Sequence, residues 1–173
     1  MHIIDCNYDA HATEILGIMN EVILNSTALY DYKARPPESM VTWFQAKQSG
    51  SYPVIGAVTE EDKLMGFASY GGFRNWPAYK YTVEHAVYIH SQYRGKGIGT
   101  ALMLRLNEEA KRQQYHVMVG GIDAANEASI KMHEKLGFSH SGTIKQVGFK
   151  FGRWLDLAFY QLVLATPVKA NDG

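Results

Sequence analysis

The chain has 173 residues, 46% apolar and 20% charged, an ordinary balance for a single globular domain. Its 17 Lys and Arg residues offset 17 Asp and Glu residues, and this zero net charge argues against a nucleic-acid or membrane-surface protein. Cys6 is the only cysteine, which excludes an intrachain disulfide framework. With neither a signal-peptide pattern nor a long apolar run, we expect a cytoplasmic protein without a membrane span.

The first half of the chain predicts two helices followed by antiparallel strands. A strand over 2–6 precedes a helix from 10 to about 24, with Asp9 as its candidate N-cap. The pair Pro36–Pro37 opens a second helix, which Ser49–Gly50 ends. A hairpin is expected next, with strands at 53–59 and 64–71.

The second half predicts a parallel step around one helix. An aromatic-rich loop over 72–80 leads into a strand, a glycine-rich turn and the remaining elements, at 81–89, 101–113, 116–122, 126–136, 138–147 and 153–164. The order β-α-α-β-β-β-α-β-α-β-β predicts a mixed, mostly antiparallel α/β sheet flanked by helices. Residues 166–173 are small and polar, and we expect them to fray at the end of a single domain over 1–173.

The glycine-rich turn is the most informative motif. Strand, turn and helix create an anion site, because the first N–H groups of a helix lack intrahelical partners. Gly95, Gly97 and Gly99 allow the backbone to approach a ligand, and Arg94 and Lys96 add positive charge. The turn lacks the Gly-Lys-Ser/Thr ending of a Walker A loop, and it follows antiparallel strands, unlike a dinucleotide fingerprint. On spacing alone, a pyrophosphate cradle and a merely flexible turn remain equal alternatives.

The glycine-rich turn and a later segment together carry a family resemblance. The run Arg94-Gly95-Lys96-Gly97-Ile98-Gly99 resembles the acetyl-CoA motif of the GNAT N-acetyltransferases, and 126–138 resembles their Asn…Glu-Lys-x-Gly-Phe block. The segments 82–89, 132–138 and 148–156 are similar to the phosphinothricin acetyltransferase group, which includes enzymes that acetylate methionine sulfoximine and methionine sulfone. The resemblance implies the GNAT fold, an N-acetyltransferase activity with acetyl-CoA as cosubstrate, no metal and a homodimer.

The resemblance also implies a cofactor site. Pantetheine is expected along the main chain of Val87, Tyr88 and Ile89, and pyrophosphate on the turn and first helical turn, formed by Arg94, Gly95, Lys96, Gly97, Ile98, Gly99 and Thr100. Asn126 is placed to touch the cofactor, although a helix N-cap is the alternative, and both can hold.

Glu84 and His133 occupy the positions of the group's acid/base pair. Glu84 is the candidate base for the substrate ammonium, and burial would raise its pKa. His133 could protonate the leaving thiolate or be the base itself, so the assignment stays open. A solvated or ion-paired Glu84 and a locally satisfied His133 are the structural alternatives.

We expect residues of three segments to bind the acceptor, with Thr27 and Ala28 implied by the resemblance: Thr27, Ala28, Arg74, Asn75, Trp76, Glu84, His85 and Ala86. The Arg74 guanidinium suits a carboxylate, phosphinate or sulfone oxygen, unless it is only a surface residue. His85 lies on the opposite strand face from Glu84, which favours a structural role for its side chain. We expect a small amino-acid analogue as acceptor; the alternatives are another small amine, a protein N-terminus, or a non-catalytic acyl-CoA-binding module.

Overall fold

The computed structural model describes residues 1–173. Its seven strands are β1 His2–Asp5, β2 Val54–Val58, β3 Leu64–Gly72, β4 Thr82–Ile89, β5 Val117–Asp123, β6 Ser139–Lys150 and β7 Arg153–Val163. Its four α-helices are α1 Tyr8–Asn25, α2 Ser39–Ser49, α3 Ile98–Arg112 and α4 Glu127–Lys135. Short 3-10 helices cover Pro77–Tyr79 and Ser91–Tyr93. The strand order is β1-β2-β3-β4-β5-β7-β6, which confirms the predicted mixed α/β sheet.

The chain divides into two compact units, and β3, β4 and α3 each contribute to both. The first unit comprises Met1–Ser69 and Ala86–Leu106, and the second comprises Tyr70–His85 and Asn107–Gly173. None of the helices combines the length and apolar character that crossing a membrane requires.

In the first unit, helices α1 and α2 cover an antiparallel ladder. β1 pairs with β2, and β2 with β3, with Gly56 opposite both Ile4 and Phe67. The core is almost entirely aliphatic and aromatic, with Ile15, Ile18, Met19, Met40, Val54, Val58, Leu64 and Phe67. Asn7, and not the predicted Asp9, caps α1, because its side chain accepts a hydrogen bond from the Ala10 N–H at 2.9 Å. Both residue types suit this position, and only the chain's path decides which one occupies it.

In the second unit, β4 runs parallel to β5, with Glu84 opposite Val119. This is the parallel step that the sequence predicts. β5 then pairs antiparallel with β7, which forms the long final hairpin with β6. The tail beyond β7 is tied down in part, because the Asn171 N–H donates to the Tyr81 hydroxyl at 3.2 Å.

Candidate functional site

The glycine-rich turn of the first unit leads directly into α3. Gly95 and Gly97 have φ angles of 74° and 77°, in the left-handed region that L side chains rarely adopt. The first helical bond of α3 runs from the Ala101 N–H to the Gly97 carbonyl at 3.1 Å. The N–H groups of Ile98, Gly99 and Thr100 therefore come before the first helical hydrogen bond and have no acceptor within the helix. This is what anion binding at the start of a helix requires.

Arg94 anchors this turn within the first unit. Its Nη2 atom lies 2.6 Å from Glu21 Oε2 on α1, and its Nε–H donates to the Ile89 carbonyl at 3.1 Å. The guanidinium is thus engaged with an acidic side chain and with the end of β4. Lys96 is exposed, and its ammonium lies 5.4 Å from the Tyr93 ring centroid. Lys96 therefore offers the more accessible positive charge of the turn, and Arg94 fixes the turn's position.

The end of β4 lies close against β3. A side chain at Gly66 would place its Cβ 2.8 Å from the Tyr88 carbonyl oxygen, so glycine permits this approach. The Tyr88 ring packs on Phe67 with centroids 5.6 Å apart. Val87, Tyr88 and Ile89 are all partly buried. Together with the unpaired helix start and the two left-handed glycines, this strand end suits an amide-bearing chain that ends in a pyrophosphate.

Glu84 is the partly buried carboxyl group on β4 in the second unit. Burial raises its pKa, and the positive charge of Arg74 opposes that effect. The charge of Arg74 therefore acts on the Glu84 carboxyl group. Across the strand pair, a Cβ at Gly121 would lie 3.7 Å from Glu84 Oε2. Leu157 Cδ1 and Phe159 Cε1 lie 3.2 and 3.8 Å from the same position, so glycine allows both side chains to approach this point beside the carboxylate.

His85 and His133 form a buried pair on the other face of β4. Their Nε2 atoms lie 2.8 Å apart, and the side chains belong to residues that are 8% and 2% exposed. Burial lowers the pKa of both; that of His85 falls to about 3, with the His133 charge adding to the effect and the Val119 backbone opposing it. His133 Nδ1 lies 2.7 Å from the Ser129 carbonyl oxygen. Both ring nitrogens of His133 are therefore engaged with protein groups.

Asn126 caps α4, as the structural alternative anticipated. Its Oδ1 atom accepts a hydrogen bond from the Ser129 N–H at 3.2 Å. Glu127 adds a negative charge in the first helical turn, where the helix dipole favours it. The cofactor contact of Asn126 stays a prediction.

The remaining predicted substrate residues lie on two loops. Arg74, Asn75 and Trp76 are exposed in the loop before β4, where the Arg74 guanidinium lies 5.5 Å from the Phe73 ring centroid. Thr27 and Ala28 follow α1 in the first unit, where the Ala28 N–H donates to Ser26 Oγ at 3.2 Å. Ala86 is partly buried on β4. Arg74 with Glu84 is thus the one predicted acceptor pair whose electrostatic contact is apparent.

Two adjacent glycines of β5 were missed in the sequence, although they shape both faces of β4. A Cβ at Gly120 would lie 2.6 Å from His85 Cε1, whereas Gly121 faces Glu84. Glycine within a strand often marks a close approach by another group, so the pair was a usable signal.

Comparison with known proteins supports the same chemistry. The sequence profile described as Acetyltransferase (GNAT) family matches residues 20–138. An L-methionine sulfoximine/L-methionine sulfone acetyltransferase of Salmonella typhimurium is 43% identical over 156 residues, which are 90% of each chain.

Two solved structures show the same fold. A phosphinothricin acetyltransferase of Sinorhizobium meliloti, in complex with acetyl-CoA, has a TM-score of 0.90 and 34% identity, covering 94% of this chain and 88% of its own. A ribosomal-protein-alanine N-acetyltransferase of Brucella melitensis has a TM-score of 0.92 and 38% identity, covering 95% of this chain and all of its own.

These matches confirm the predicted fold, enzyme class and cosubstrate, and the glycine turn with its unpaired helix start fits that cosubstrate. The chain belongs to the acetyltransferase (GNAT) family and is an N-acetyltransferase that uses acetyl-CoA.

Proposed function

We propose that the protein acetylates the α-amino group of a small amino-acid analogue of the methionine sulfoximine, methionine sulfone or phosphinothricin type. The relatives named for these substrates support the substrate class. The observation that carries the proposal is the partly buried Glu84 carboxyl group, whose pKa is raised by burial and lowered by Arg74. Glu84 can act on the ammonium group of a substrate while Arg74 binds its acidic or sulfonyl group, so this pair suits a substrate that carries both.

Glu84 is the general base of this proposal. An α-ammonium must lose a proton before its nitrogen can attack a thioester, and a carboxylate with a raised pKa accepts that proton more readily at neutral pH. Glu84 takes the proton directly or through one water. The amine nitrogen then forms the amide bond as the carbon–sulfur bond breaks, and the thiolate leaves.

Acetyl-CoA supplies the activated acetyl group. The N–H groups from Gly95 to Thr100 hold its pyrophosphate, and the main chain of Val87, Tyr88 and Ile89 pairs with its amides. Lys96 adds a charge-assisted contact, while the Glu21 carboxylate keeps Arg94 in place beside the turn. Asn126 keeps its N-cap hydrogen bond to Ser129 and contacts the cofactor from the start of α4.

Arg74 binds the acidic or sulfonyl end of the acceptor. Its guanidinium is exposed and can form paired hydrogen bonds to two oxygen atoms. Asn75 and Trp76 provide main-chain and aromatic contacts from the same loop. Thr27, Ala28 and Ala86 are further acceptor contacts, whereas the His85 side chain lies on the opposite face of β4 from Glu84. The same cation lowers the pKa of Glu84, so substrate binding at Arg74 also tunes the base.

Thiol release from acetyl-CoA tests the proposal against a panel of amines. Methionine sulfone, methionine sulfoximine and phosphinothricin should be acetylated, and each product should carry the acetyl group on its α-nitrogen by mass spectrometry. An Arg74→Ala variant should raise KM for these acceptors, while Arg153→Ala, a matched exposed arginine, should not. Turnover of polyamines or aminoglycosides, with none of the amino-acid analogues, would overturn the substrate class.

A protein N-terminus is the second candidate acceptor. The Brucella melitensis structure named for ribosomal-protein-alanine acetylation, at 38% identity, favours testing it. A short peptide that begins with alanine belongs in the same panel. If kcat/KM for the peptide exceeds that for methionine sulfone, the small-molecule assignment is wrong.

The homodimer is part of the same proposal. Several large apolar side chains near the turn of the β6–β7 hairpin are exposed, and such a patch is characteristic of an interface: Val147, Phe149, Phe151 and Trp154. Sedimentation velocity should give twice the chain mass, and Trp154→Glu should shift the protein to a monomer.

The dependence of the protein on acetyl-CoA supports a cytoplasmic location, where this cosubstrate is available.

A further inference from the structure

The His85–His133 pair has a hydrogen-bond pattern that fixes where each proton lies. The two rings stack with centroids 5.0 Å apart and an interplanar angle of 24°, and both rings contact Phe138 edge-on. The nitrogen atoms that face each other are both Nε2, at 2.8 Å. One of them must donate and the other accept, because a neutral imidazole carries only one N–H group.

The Ser129 carbonyl decides which histidine donates. A carbonyl oxygen can only accept, so His133 Nδ1, at 2.7 Å from it, carries a proton. The Nε2 atom of neutral His133 is then the acceptor, and His85 Nε2–H is the donor. This leaves His85 Nδ1 without a proton, in agreement with its having no hydrogen-bond partner although it is buried. The Val119 backbone, which raises the His85 pKa, therefore forms no hydrogen bond with this nitrogen.

The surroundings keep both rings neutral. The titratable group that faces each imidazole is the other imidazole, while Gly120 of β5 and Phe138 after α4 present no charge. Burial lowers the pKa of both rings, so neither carries a positive charge at neutral pH.

We propose that His85 is a positioning residue that acts through His133, holding that ring in its neutral Nδ1–H form and fixing α4 to the strand that carries Glu84. The inference deepens the proposed acetyl transfer and rests on it for its kinetic consequence. Both ring nitrogens of His133 are engaged, one with His85 and one with the Ser129 carbonyl in the first turn of α4. His133 therefore links α4, which Asn126 caps, to β4. The proton from the substrate therefore passes to Glu84, and the histidine pair takes no part in that step.

Ring nitrogen NMR tests the inference without any substrate. Long-range ¹H–¹⁵N correlation spectra of the folded protein at pH 7 should show His133 protonated at Nδ1 only and His85 at Nε2 only. The His85 ring should still be neutral at pH 5.5. The reverse tautomers, or a positively charged His85 ring at pH 5.5, would overturn the assignment whether or not the proposed substrates are turned over.

Kinetics of three variants tests the positioning role. His85→Phe removes the donor and should lower kcat about tenfold, the effect of losing roughly 1.4 kcal/mol of transition-state stabilisation. His85→Gln retains an N–H donor and should recover most of that loss, while His140→Phe should match the wild type. The KM of the amine should stay unchanged, because Arg74 binds the acceptor. The midpoint on the acid side of the pH profile of kcat/KM should also stay unchanged, because it reports the titration of Glu84. Equal rates for His85→Phe, His85→Gln and wild type would contradict the role; a failure of all acceptors in the wild type would instead contradict the proposed function.

Discussion

The two faces of β4 place neighbouring residues in opposite environments. Glu84 has a raised pKa, interacts with the charge of Arg74 and lies beside Gly121. His85, the next residue, is buried, neutral and packed against Gly120. Alternation along a strand sends successive side chains to opposite faces, so one strand can carry a reactive group and a structural group side by side. On each face a different glycine of β5 lies beside the β4 side chain: Gly121 beside Glu84 and Gly120 beside His85.

Alanine substitutions at Gly120 and Gly121 should reveal the difference between the two faces of β4 most clearly. Gly120→Ala brings a Cβ within 2.6 Å of His85 Cε1, so the buried ring must move. Such overpacking costs about 1–3 kcal/mol, and we expect the Tm to fall accordingly. Thermal unfolding monitored by circular dichroism measures the effect.

Gly121→Ala is the matched change on the Glu84 face. Its Cβ would meet Leu157 Cδ1 at 3.2 Å and Glu84 Oε2 at 3.7 Å, and the leucine can move aside. Stability should therefore stay within about 0.5 kcal/mol of the wild type, as for surface changes generally. If both alanines destabilise the protein equally, the two faces are not distinct in the way described.

The histidine face should make the protein sensitive to acid. Because the pKa of His85 is lowered to about 3 in the folded state from 6.5, the unfolded chain binds more protons between these values. The free energy of unfolding should therefore fall as the pH drops from 6.5 towards 3. Urea unfolding of His85→Gln should show a shallower decline than the wild type, with His140→Gln as the control. An unchanged slope in His85→Gln would mean that His85 is not held neutral.

On the face of β4 that carries Glu84, the contribution to the free energy of unfolding should depend on pH in the opposite direction and more weakly. A folded-state pKa raised above 4.5 means that the folded protein holds the Glu84 proton more tightly, and this advantage is lost as the pH rises through that pKa. Glu84→Gln should therefore be more stable than the wild type at pH 8, and the gap should close below pH 4.5. Glu134→Gln, an exposed glutamate on α4, is the control. A loss of stability in Glu84→Gln at pH 8 would show that the carboxylate is well paired.

The sequence alone predicts the two faces of β4 and the cosubstrate motif. The side-chain contacts between segments that are distant along the chain require the structure. Strand alternation placed Glu84 and His85 on opposite faces, and the glycine turn with the 126–138 block gave the cosubstrate. No local pattern could reveal that His133 meets His85, because the contact joins a helix to a strand far away along the chain. Similarly, no local pattern could reveal that Arg94 pairs with Glu21 on another helix.

The pH dependence of kcat/KM for methionine sulfone, in wild type and Glu84→Gln, tests the central claim most directly. We predict an acid limb in the wild type whose midpoint lies above 4.5, the ordinary pKa of a glutamate. Glu84→Gln should lower kcat/KM by about 10²–10⁴-fold and abolish that limb, since the base is gone. A variant that keeps near-normal rates and the same acid limb would contradict the account.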